Sequence, residues 1–193
     1  GSLAVDRLDG DWLVLRGPVP AGTGRAPHRL WNWRTGTLLD PGEVRAVDLS
    51  AGRLARRGDP VRADAPARAA ACLTVAPVAG GAAPDRGGVC HPDLRAGDDL
   101  LQLAPDARWV AVGAGGGAVV LASADVAAGR WRPLATLPGG SRFARWLDRE
   151  RFLLHRAATR QEACTVALRC AALALPPGAG DPVAVGVPGA GDL

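Results

Sequence analysis

The chain has no lysine among its 193 residues, so its 23 basic residues are all arginine. Arginine without lysine is typical of a genome of high GC content, whatever the protein does. The arginines are scattered, and Arg56 and Arg57 are the only adjacent pair, although the net charge is +4. Binding to a phosphate backbone needs a continuous basic stripe. We therefore expect a solvated surface of mixed charge and no nucleic-acid partner.

Methionine is absent too, even at the start, where the chain begins Gly1-Ser2. This pair is typical of a cloning or protease scar, and we interpret residues 1–2 as one. A long apolar run is also missing, since no uncharged stretch is longer than residues 109–124, which contain four glycines. Because a bilayer span needs ~18 apolar residues, we expect no membrane span in this chain.

Glycine and proline are abundant, with 26 and 16 residues, and 48% of the chain is hydrophobic against 22% charged. Disordered segments are highly charged and poor in branched apolar residues, so this composition favours a folded chain. Frequent glycine and proline favour many turns over long helices.

One pattern recurs four times along the chain: an apolar strand, a tight turn with an acidic or small residue, and a second apolar strand. The four turns lie at Gly10, Gly52, Asp106 and Arg149. Their spacings are 42, 54 and 43 residues. A four-stranded propeller blade repeats every ~40 to 45 residues, so each copy is interpreted as one blade.

Each copy should also contain a third and a fourth strand, and apolar segments of suitable length follow every hairpin. In copies one to three, glycines separate these segments, as expected of tight turns that require positive φ. Copy four supplies a continuous apolar segment over residues 164–175, interpreted as one strand, and a last strand over 181–187.

The predicted fold is an all-β propeller of about four four-stranded blades, within a single domain. The blades are predicted at residues 3–41, 43–95, 98–139 and 142–188. Such a ring is complete with four blades, is part of a larger ring, or is half of a ring shared with a second chain. An open arc exposes strand edges, which soluble proteins avoid. A closed small ring or a homodimer is therefore expected rather than an open monomer.

Two of the copies resemble a known family. Residues 100–111, LLQLAPDARWVA, resemble the SPDG-x-x-[IVL]-A start of a WD-repeat or TolB-like blade, and residues 30–36, LWNWRTG, resemble its [VL]-W-D-x-x-T-G strand. No copy has the Gly-His and Trp-Asp dipeptides of a strict WD repeat. The resemblance implies a degenerate, TolB-like bacterial β-propeller whose rigid ring presents variable loops for recognition.

The four cysteines match no zinc-binding template, so disulfides are the preferred interpretation. Cys72 and Cys90 are spaced symmetrically about a Gly-Gly turn, as expected for a disulfide across two strands. Cys164 and Cys170 would lie ~20 Å apart on one strand, so they pair, by elimination, only if residues 166–169 turn. Disulfides would place the chain outside the cytoplasm. Buried free cysteines in a cytoplasmic protein are the alternative.

Groups that could carry catalysis are scarce. Residues 113–118 fit the loose fingerprint G-x-G-x-x-[GA], but a strand-forming run follows and no acid stands where a ribose needs one. We therefore interpret this segment as a hairpin turn, with no cofactor. No serine or histidine motif for catalysis or metal binding is present. Asp9, Asp106 and Asp148 repeat at one hairpin position and are interpreted as turn caps.

Tyrosine is absent, and tryptophan supplies six of the eight aromatic residues. Trp31 and Trp33 share one face of a predicted strand and lie next to Arg34, so these three residues are the ligand-binding candidates. Exposed tryptophans can stack on a sugar or anchor a partner protein. The alternative is that they fill the core between blades.

The function predicted from the sequence is a non-catalytic propeller module that binds a protein or cell-envelope ligand. We expect it to be the extracytoplasmic part of a larger or membrane-tethered bacterial protein. One alternative is an extracellular glycan hydrolase or lyase with acids in mouth loops at residues 59–68 or 18–27. A second alternative is a structural domain that completes a propeller with a second chain.

Overall fold

The computed structural model describes residues 3–21, 26–41, 44–58, 71–78, 88–95, 99–137, 139–156 and 160–173. These residues form four antiparallel sheets, each with four strands in chain order. We call the sheets blades 1 to 4. The predicted all-β architecture of four four-stranded blades is confirmed. The exact blade limits stay predictions, and residues 1–2 and 181–187 lie outside the described residues.

The strand limits are as follows. Blade 1 contains β1 (Ala4–Asp9), β2 (Trp12–Arg16), β3 (His28–Asn32) and β4 (Leu38–Leu39). Blade 2 contains β5 (Val44–Ser50), β6 (Arg53–Gly58), β7 (Cys72–Pro77) and β8 (Val89–Cys90). Blade 3 contains β9 (Leu101–Leu103), β10 (Trp109–Ala114), β11 (Gly117–Ala122) and β12 (Pro133–Leu137). Blade 4 contains β13 (Ser141–Trp146), β14 (Arg151–Arg156), β15 (Arg160–Thr165) and β16 (Cys170–Ala172).

Within the described residues, two short helices interrupt the pattern of strands. The helix α1 (Ser123–Ala127) lies between β11 and β12, and a 3-10 turn, Pro92–Arg95, precedes blade 3. The fully buried Arg57 donates a hydrogen bond to the carbonyl of Leu94 in this turn. The turn is thereby tied to the sheet of blade 2.

The blades follow one another along an arc. β1 contacts β5, β5 contacts β9, and β9 contacts β13, so the first strand of every blade lies at the inner edge. Buried apolar side chains fill the space between neighbouring blades. Burial of such surface at ~25 cal/mol per Å² is the main force that holds blade to blade.

Polar side chains also bridge the first strands at each of the three junctions. The bridging residues Arg7, Asp48 and Gln102 pair with Val14, Ala55 and Ala111, respectively, and so occupy the same register position in their blades. The bonds join Arg7 Nε to the Leu49 carbonyl (3.3 Å), the Leu103 N–H to the Asp48 carboxylate (2.6 Å), and Gln102 Nε2 to the Ala144 carbonyl (3.1 Å). Each copy of the sequence repeat therefore supplies one polar contact to the next blade from the same register position.

The arc has two ends along the direction of its strands. The hairpin face carries the turns between first and second strands, at Gly10, Gly52, Asp106 and Arg149. The mouth face is the opposite end, where β2 ends at Arg16 and β3 begins at His28.

Both expected disulfides are present. Cys72 and Cys90 face each other across β7 and β8, and their Cα atoms are 4.0 Å apart. Cys164 and Cys170 face each other across β15 and β16, also at 4.0 Å. The described residues contain no free cysteine.

The continuous strand predicted over residues 164–175 is wrong. The chain turns between Thr165 and Cys170, with Leu168 in the left-handed region at φ 57°. The N–H of Arg169 donates to the Thr165 hydroxyl, at 3.2 Å, and the Thr165 N–H donates back to the Arg169 carbonyl, at 3.0 Å. These bonds and the disulfide hold a turn that lacks the usual glycine.

The glycine-rich run in blade 3 is a two-residue hairpin turn, as predicted. Strands β10 and β11 pair up to Ala114 and Gly117, leaving Gly115 and Gly116 between them. Both glycines have positive φ, 57° and 78°, a conformation that other residues adopt at a cost. The glycines here serve the turn geometry.

Candidate functional site

The chain beyond β3 forms a fixed turn at the hairpin face. The Asn32 side chain accepts hydrogen bonds from the N–H groups of Arg34 and Thr35, at 3.1 and 3.0 Å. Such a side-chain turn replaces a backbone turn. The Trp33 N–H donates to the Asp11 carbonyl at 3.0 Å, which attaches the segment to the hairpin between β1 and β2.

This turn presents an exposed aromatic ring beneath a cation. Trp33 is 47% exposed, and the Arg34 guanidinium lies 5.0 Å from its ring centroid. Arg34 Nε is 2.7 Å from an Asp11 carboxylate oxygen, which fixes the guanidinium in place. The Trp33 indole N–H points to the Gly10 carbonyl at 3.5 Å. We call Trp33, Arg34 and Asp11 the tryptophan platform.

The sequence predicts that Trp31 shares a strand face with Trp33, and this stays a prediction. Trp31 pairs with Leu13 within the sheet, whereas Trp33 lies beyond the end of β3. Among the described residues, no ring contact joins the two tryptophans. The described ring contacts thus join Trp33 to Arg34 but not to Trp31.

Three other tryptophans pack between blades, as the sequence predicts for them. Trp12 contacts the core between blades 1 and 2, and Trp109 and Trp146 contact the core between blades 3 and 4. The Trp146 indole N–H also donates to the Gln102 carbonyl at 3.1 Å. Trp131 stacks on His91 at a centroid distance of 4.3 Å.

A cavity of about 520 Å³ opens at the mouth face, and sequence reasoning missed it. Its ionisable lining residues are Asp6, Arg16, His28, Arg45 and Asp99. Asp6 stands at a β-bulge in β1, and its carboxylate lies 3.1 Å from Arg16 Nε and 3.8 Å from His28 Nε2. A bulge re-aims a side chain. Arg16 and His28 pair directly across adjacent strands, and this pairing is the one feature that could have indicated the site.

His28 is the most enclosed ionisable group of this cavity. It is buried, and its Nδ1 atom has no hydrogen-bond partner among the described residues. Burial lowers the pKa of His28 from its ordinary value, against the opposing attraction of Asp6 and together with the repulsion of Arg16. Burial thus favours the neutral form of the imidazole.

A second cavity of about 520 Å³ adjoins the first along the inner edge of blades 3 and 4. Asp99 lines both cavities, and Gln102, Arg142 and His155 line the second. The mouth face thus offers a trough of mixed charge that crosses the arc. A trough of this size suits a polar ligand or a peptide segment.

The predicted turn caps behave in two ways. Asp148 accepts from the N–H groups of Glu150 and Arg151, both at 2.8 Å, and Asp106 accepts from the Arg108 N–H at 3.1 Å, so both cap their own turns as predicted. The prediction is wrong for Asp9. Its carboxylate accepts from the Gly52 N–H of blade 2, at 3.1 Å, because the neighbouring hairpin lies within reach across the junction.

The Asp148 turn is strongly polarised. The Glu150 N–H and the Arg151 guanidinium, at 2.6 Å, lower the pKa of Asp148 to about 2. A cavity of about 760 Å³ beside this turn is lined by Asp106, Asp148, Glu150 and Arg151. Every one of these acids has an arginine partner. The acids thus hold the hairpin face together.

One group of potential metal ligands occurs among the described residues: Glu162, Cys164 and Cys170. The two sulfurs form a disulfide, and the buried Glu162 carboxylate lies 2.9 Å from both Arg156 and Arg160. The disulfide occupies both sulfurs and the two arginines neutralise the carboxylate, so this group does not favour a metal ion.

The loops proposed for the enzyme alternative give little support. Residues 59–68 lie outside the described residues. Residues 18–27 contain no acidic residue, so this loop cannot supply a catalytic carboxylate. Its Val19 and Ala26 nevertheless line the mouth cavity, where the acids come from Asp6 and Asp99.

Solved structures resemble this chain at low sequence identity. The Dos1 propeller superposes with a TM-score of 0.55 at 8% identity, over 84% of this chain and 42% of that one. The β-propeller domain of the trilobed protease from Pyrococcus furiosus, described as having an open velcro topology, gives 0.54 at 10%, over 83% and 53%. A prolyl endopeptidase structure gives 0.52 at 12%, over 86% and 26%.

The chain is a β-propeller in fold. It spans about half, or less, of the length of these propeller-containing proteins. No protein-family model matches the sequence, and no curated protein does. Among the described residues of this propeller, no helix is long and apolar enough to cross a membrane.

Proposed function

We propose that this chain is a non-catalytic recognition module of the degenerate, TolB-like type, and that it binds a protein or cell-envelope ligand outside the cytoplasm. The observation that carries the proposal is the tryptophan platform. It places the Arg34 guanidinium, paired with Asp11, over one face of the exposed Trp33 indole at the end of a sheet.

The platform has the chemistry of a recognition site. Tryptophan and arginine are the residues most enriched among those that dominate binding energy. The Asx turn at Asn32 and the ion pair with Asp11 order both side chains before a ligand arrives. Preorganisation of this kind reduces the entropy lost on binding. A sugar ring or an acidic peptide fits an indole face beside a cation.

The location is argued from the two disulfides. Disulfides persist in oxidising compartments and are rare in the cytoplasm. Mass spectrometry of the protein purified from its native host, alkylated without reduction, tests this part directly. We expect four unmodified cysteines, and four alkylated cysteines would contradict an extracytoplasmic location.

Binding is tested by cosedimentation with purified peptidoglycan and by cross-linking to envelope proteins in isolated cell envelopes. We expect binding that Trp33→Ala and Arg34→Ala weaken by about tenfold or more. Leu134→Ala, at an exposed leucine of β12 in blade 3, is the matched control and should bind as the unchanged protein does. Equal binding by all four proteins, or none by any, would overturn the proposal.

The glycan hydrolase is a second candidate because Asp6 and Asp99 line one cavity. Glycoside hydrolysis needs a pair of carboxyl groups that flank the scissile bond. Release of reducing ends from peptidoglycan, abolished by Asp99→Asn, would establish this activity. Absence of release from the unchanged protein would remove it and leave the platform proposal standing.

A further inference from the structure

Blade 1 has an exposed apolar side that faces away from blade 2. We call it the leading face, and it carries Val5, Leu8, Trp31 and Leu38, all exposed. Leu8 pairs with Leu13, which pairs in turn with Trp31, and Trp31 pairs with Leu38, so these residues form one row across the four strands. Contiguous exposed apolar surface of this kind marks an interaction site.

The corresponding residues of blades 2 and 3 indicate what kind of contact the leading face would make. The Leu8–Leu13 pair corresponds to Leu49–Leu54 in blade 2 and to Leu103–Val110 in blade 3. Leu8 is 62% exposed, whereas Leu49 is 0% and Leu103 is 1% exposed. The leucine at this position is thus buried in blades 2 and 3, where the structure describes a preceding blade.

The side chains that cover these leucines are known from the cores. Val14 and Leu30 of blade 1 pack in one cluster with Leu49 and Leu54 of blade 2. Ala55, Leu73 and Val75 of blade 2 pack in one cluster with Leu103 and Val110 of blade 3. In both cases the cover is the far side of the preceding blade, which we call its trailing face.

Blade 4 is the last blade that the structure describes. None of the three clusters of buried side chains joins its trailing face to another blade, although Leu153 on that face is only 8% exposed. Arg145 pairs with Leu153, just as Arg7 pairs with Val14, so it occupies the register position of Arg7, Asp48 and Gln102. Those three side chains each bond to the first strand of the next blade. Arg145 is exposed, and its guanidinium makes no ion pair or hydrogen bond with any described residue.

The two ends of the arc are therefore the two halves of one more junction. We propose that a second copy of this chain supplies the missing neighbour, with blade 4 of each copy packed on the leading face of blade 1 of the other. Arg145 then donates to the Leu8 carbonyl of the second copy, as Arg7 donates to the Leu49 carbonyl. Arg7 of that copy, which lies close by, is already paired with Asp48 at 3.5 Å.

Two such junctions close a ring of eight blades with twofold symmetry. Head-to-tail contacts form a closed assembly when the rotation between copies closes, and closure at two copies covers both exposed ends. The size is suitable, because this chain spans 53% of the trilobed protease propeller domain. Two copies together therefore match one propeller of that size.

The test is the mass of the protein in solution, measured by light scattering over a dilution series. We expect a dimer whose dissociation constant rises by about 30-fold or more in Leu8→Asp and in Arg145→Glu. Leu134→Asp, at an exposed leucine away from both ends, should leave the dimer unchanged. Circular dichroism melting checks that each variant folds, which exposed positions should permit.

A mixing experiment tests the orientation. In a head-to-tail dimer, Leu8→Asp and Arg145→Glu protomers, each monomeric alone, together rebuild one intact junction and should form a heterodimer by native mass spectrometry. A strictly monomeric unchanged protein would overturn the proposal. So would a dimer that survives either substitution, or a mixture that stays monomeric.

Discussion

The Asp48 carboxylate accepts a 2.6 Å hydrogen bond from the Leu103 N–H, and this bond joins the first strand of blade 2 to that of blade 3. Asp48 is buried, and burial raises its pKa above the ordinary value, although the Leu103 N–H and the nearby Arg7 oppose the shift. A buried carboxylate is retained here because it satisfies a backbone donor at the inner edge of the arc.

Replacing Asp48 by Asn should make stability less sensitive to pH. Because the folded pKa of Asp48 is raised, its contribution to stability is fully present below the ordinary pKa and is lost as the pH rises through the folded pKa. Asp48→Asn keeps an acceptor for Leu103 and removes the titration. We expect the free energy of unfolding of Asp48→Asn, measured in urea, to increase relative to that of the unchanged protein as the pH rises from 3.5 to 7. If the difference in unfolding free energy between the two proteins stays constant over this pH range, the pKa of Asp48 is not raised.

Removing the acceptor altogether has a different signature. Asp48→Ala leaves the Leu103 N–H without its partner, which costs about 1–3 kcal/mol for a buried donor. Urea unfolding at pH 7 should show this loss in Asp48→Ala but not in Asp48→Asn. Equal stability of the two variants would show that the hydrogen bond does not support the junction.

His28 should make the protein less stable in weak acid. Burial lowers its folded pKa below the ordinary value of 6.5, so its contribution is present above that value and is lost as the pH falls toward the folded pKa. His28→Gln removes the titration and should flatten the stability curve between pH 7 and pH 5. If both proteins lose the same stability over this interval, another group is responsible.

The two disulfides should differ in their effect on stability. The chain-entropy model assigns about 3 kcal/mol to a loop of the Cys72–Cys90 size and about 2 kcal/mol to one of the Cys164–Cys170 size. The sequence separations are 18 and 6 residues. Denaturant unfolding of the two double serine variants, Cys72→Ser/Cys90→Ser and Cys164→Ser/Cys170→Ser, checks the order. A larger loss from the shorter loop would contradict the expectation.

Asp148 should titrate far below its ordinary pKa. Carbon-detected NMR should give a pKa of about 2, set mainly by the Glu150 N–H and the Arg151 guanidinium. Arg151→Gln removes only the guanidinium, so we expect the pKa to rise but to stay below its ordinary value. An unchanged pKa in this variant would show that the ion pair at 2.6 Å is not formed in solution.

The blade pattern was predictable because it depends on local signals that recur. Alternating apolar residues and turns at Gly10 and Gly52 repeat at a period that few other folds share. The turn at Leu168 was not predictable, since residues 166–169 contain no usual turn residue and a disulfide closes the hairpin. A tertiary constraint overrides local preference there.

The candidate site was predictable only in part. Trp33 and Arg34 are adjacent in sequence, so their partnership follows from position alone. Asp9 bonds to Gly52 across a blade junction, and Asp6 reaches the mouth cavity through a bulge. Contacts between residues this far apart depend on how the blades pack, which no local pattern encodes.

Ligand recognition at the tryptophan platform is the central proposal, and the indole N–H signals of the six tryptophans test it most directly. We would assign them in a two-dimensional ¹⁵N spectrum by single replacement and then add soluble peptidoglycan fragments, or an envelope protein identified by cross-linking. We predict that the Trp33 signal moves on binding while those of Trp109 and Trp146, packed between blades, do not. A bound state in which the Trp33 signal stays in place would contradict the account.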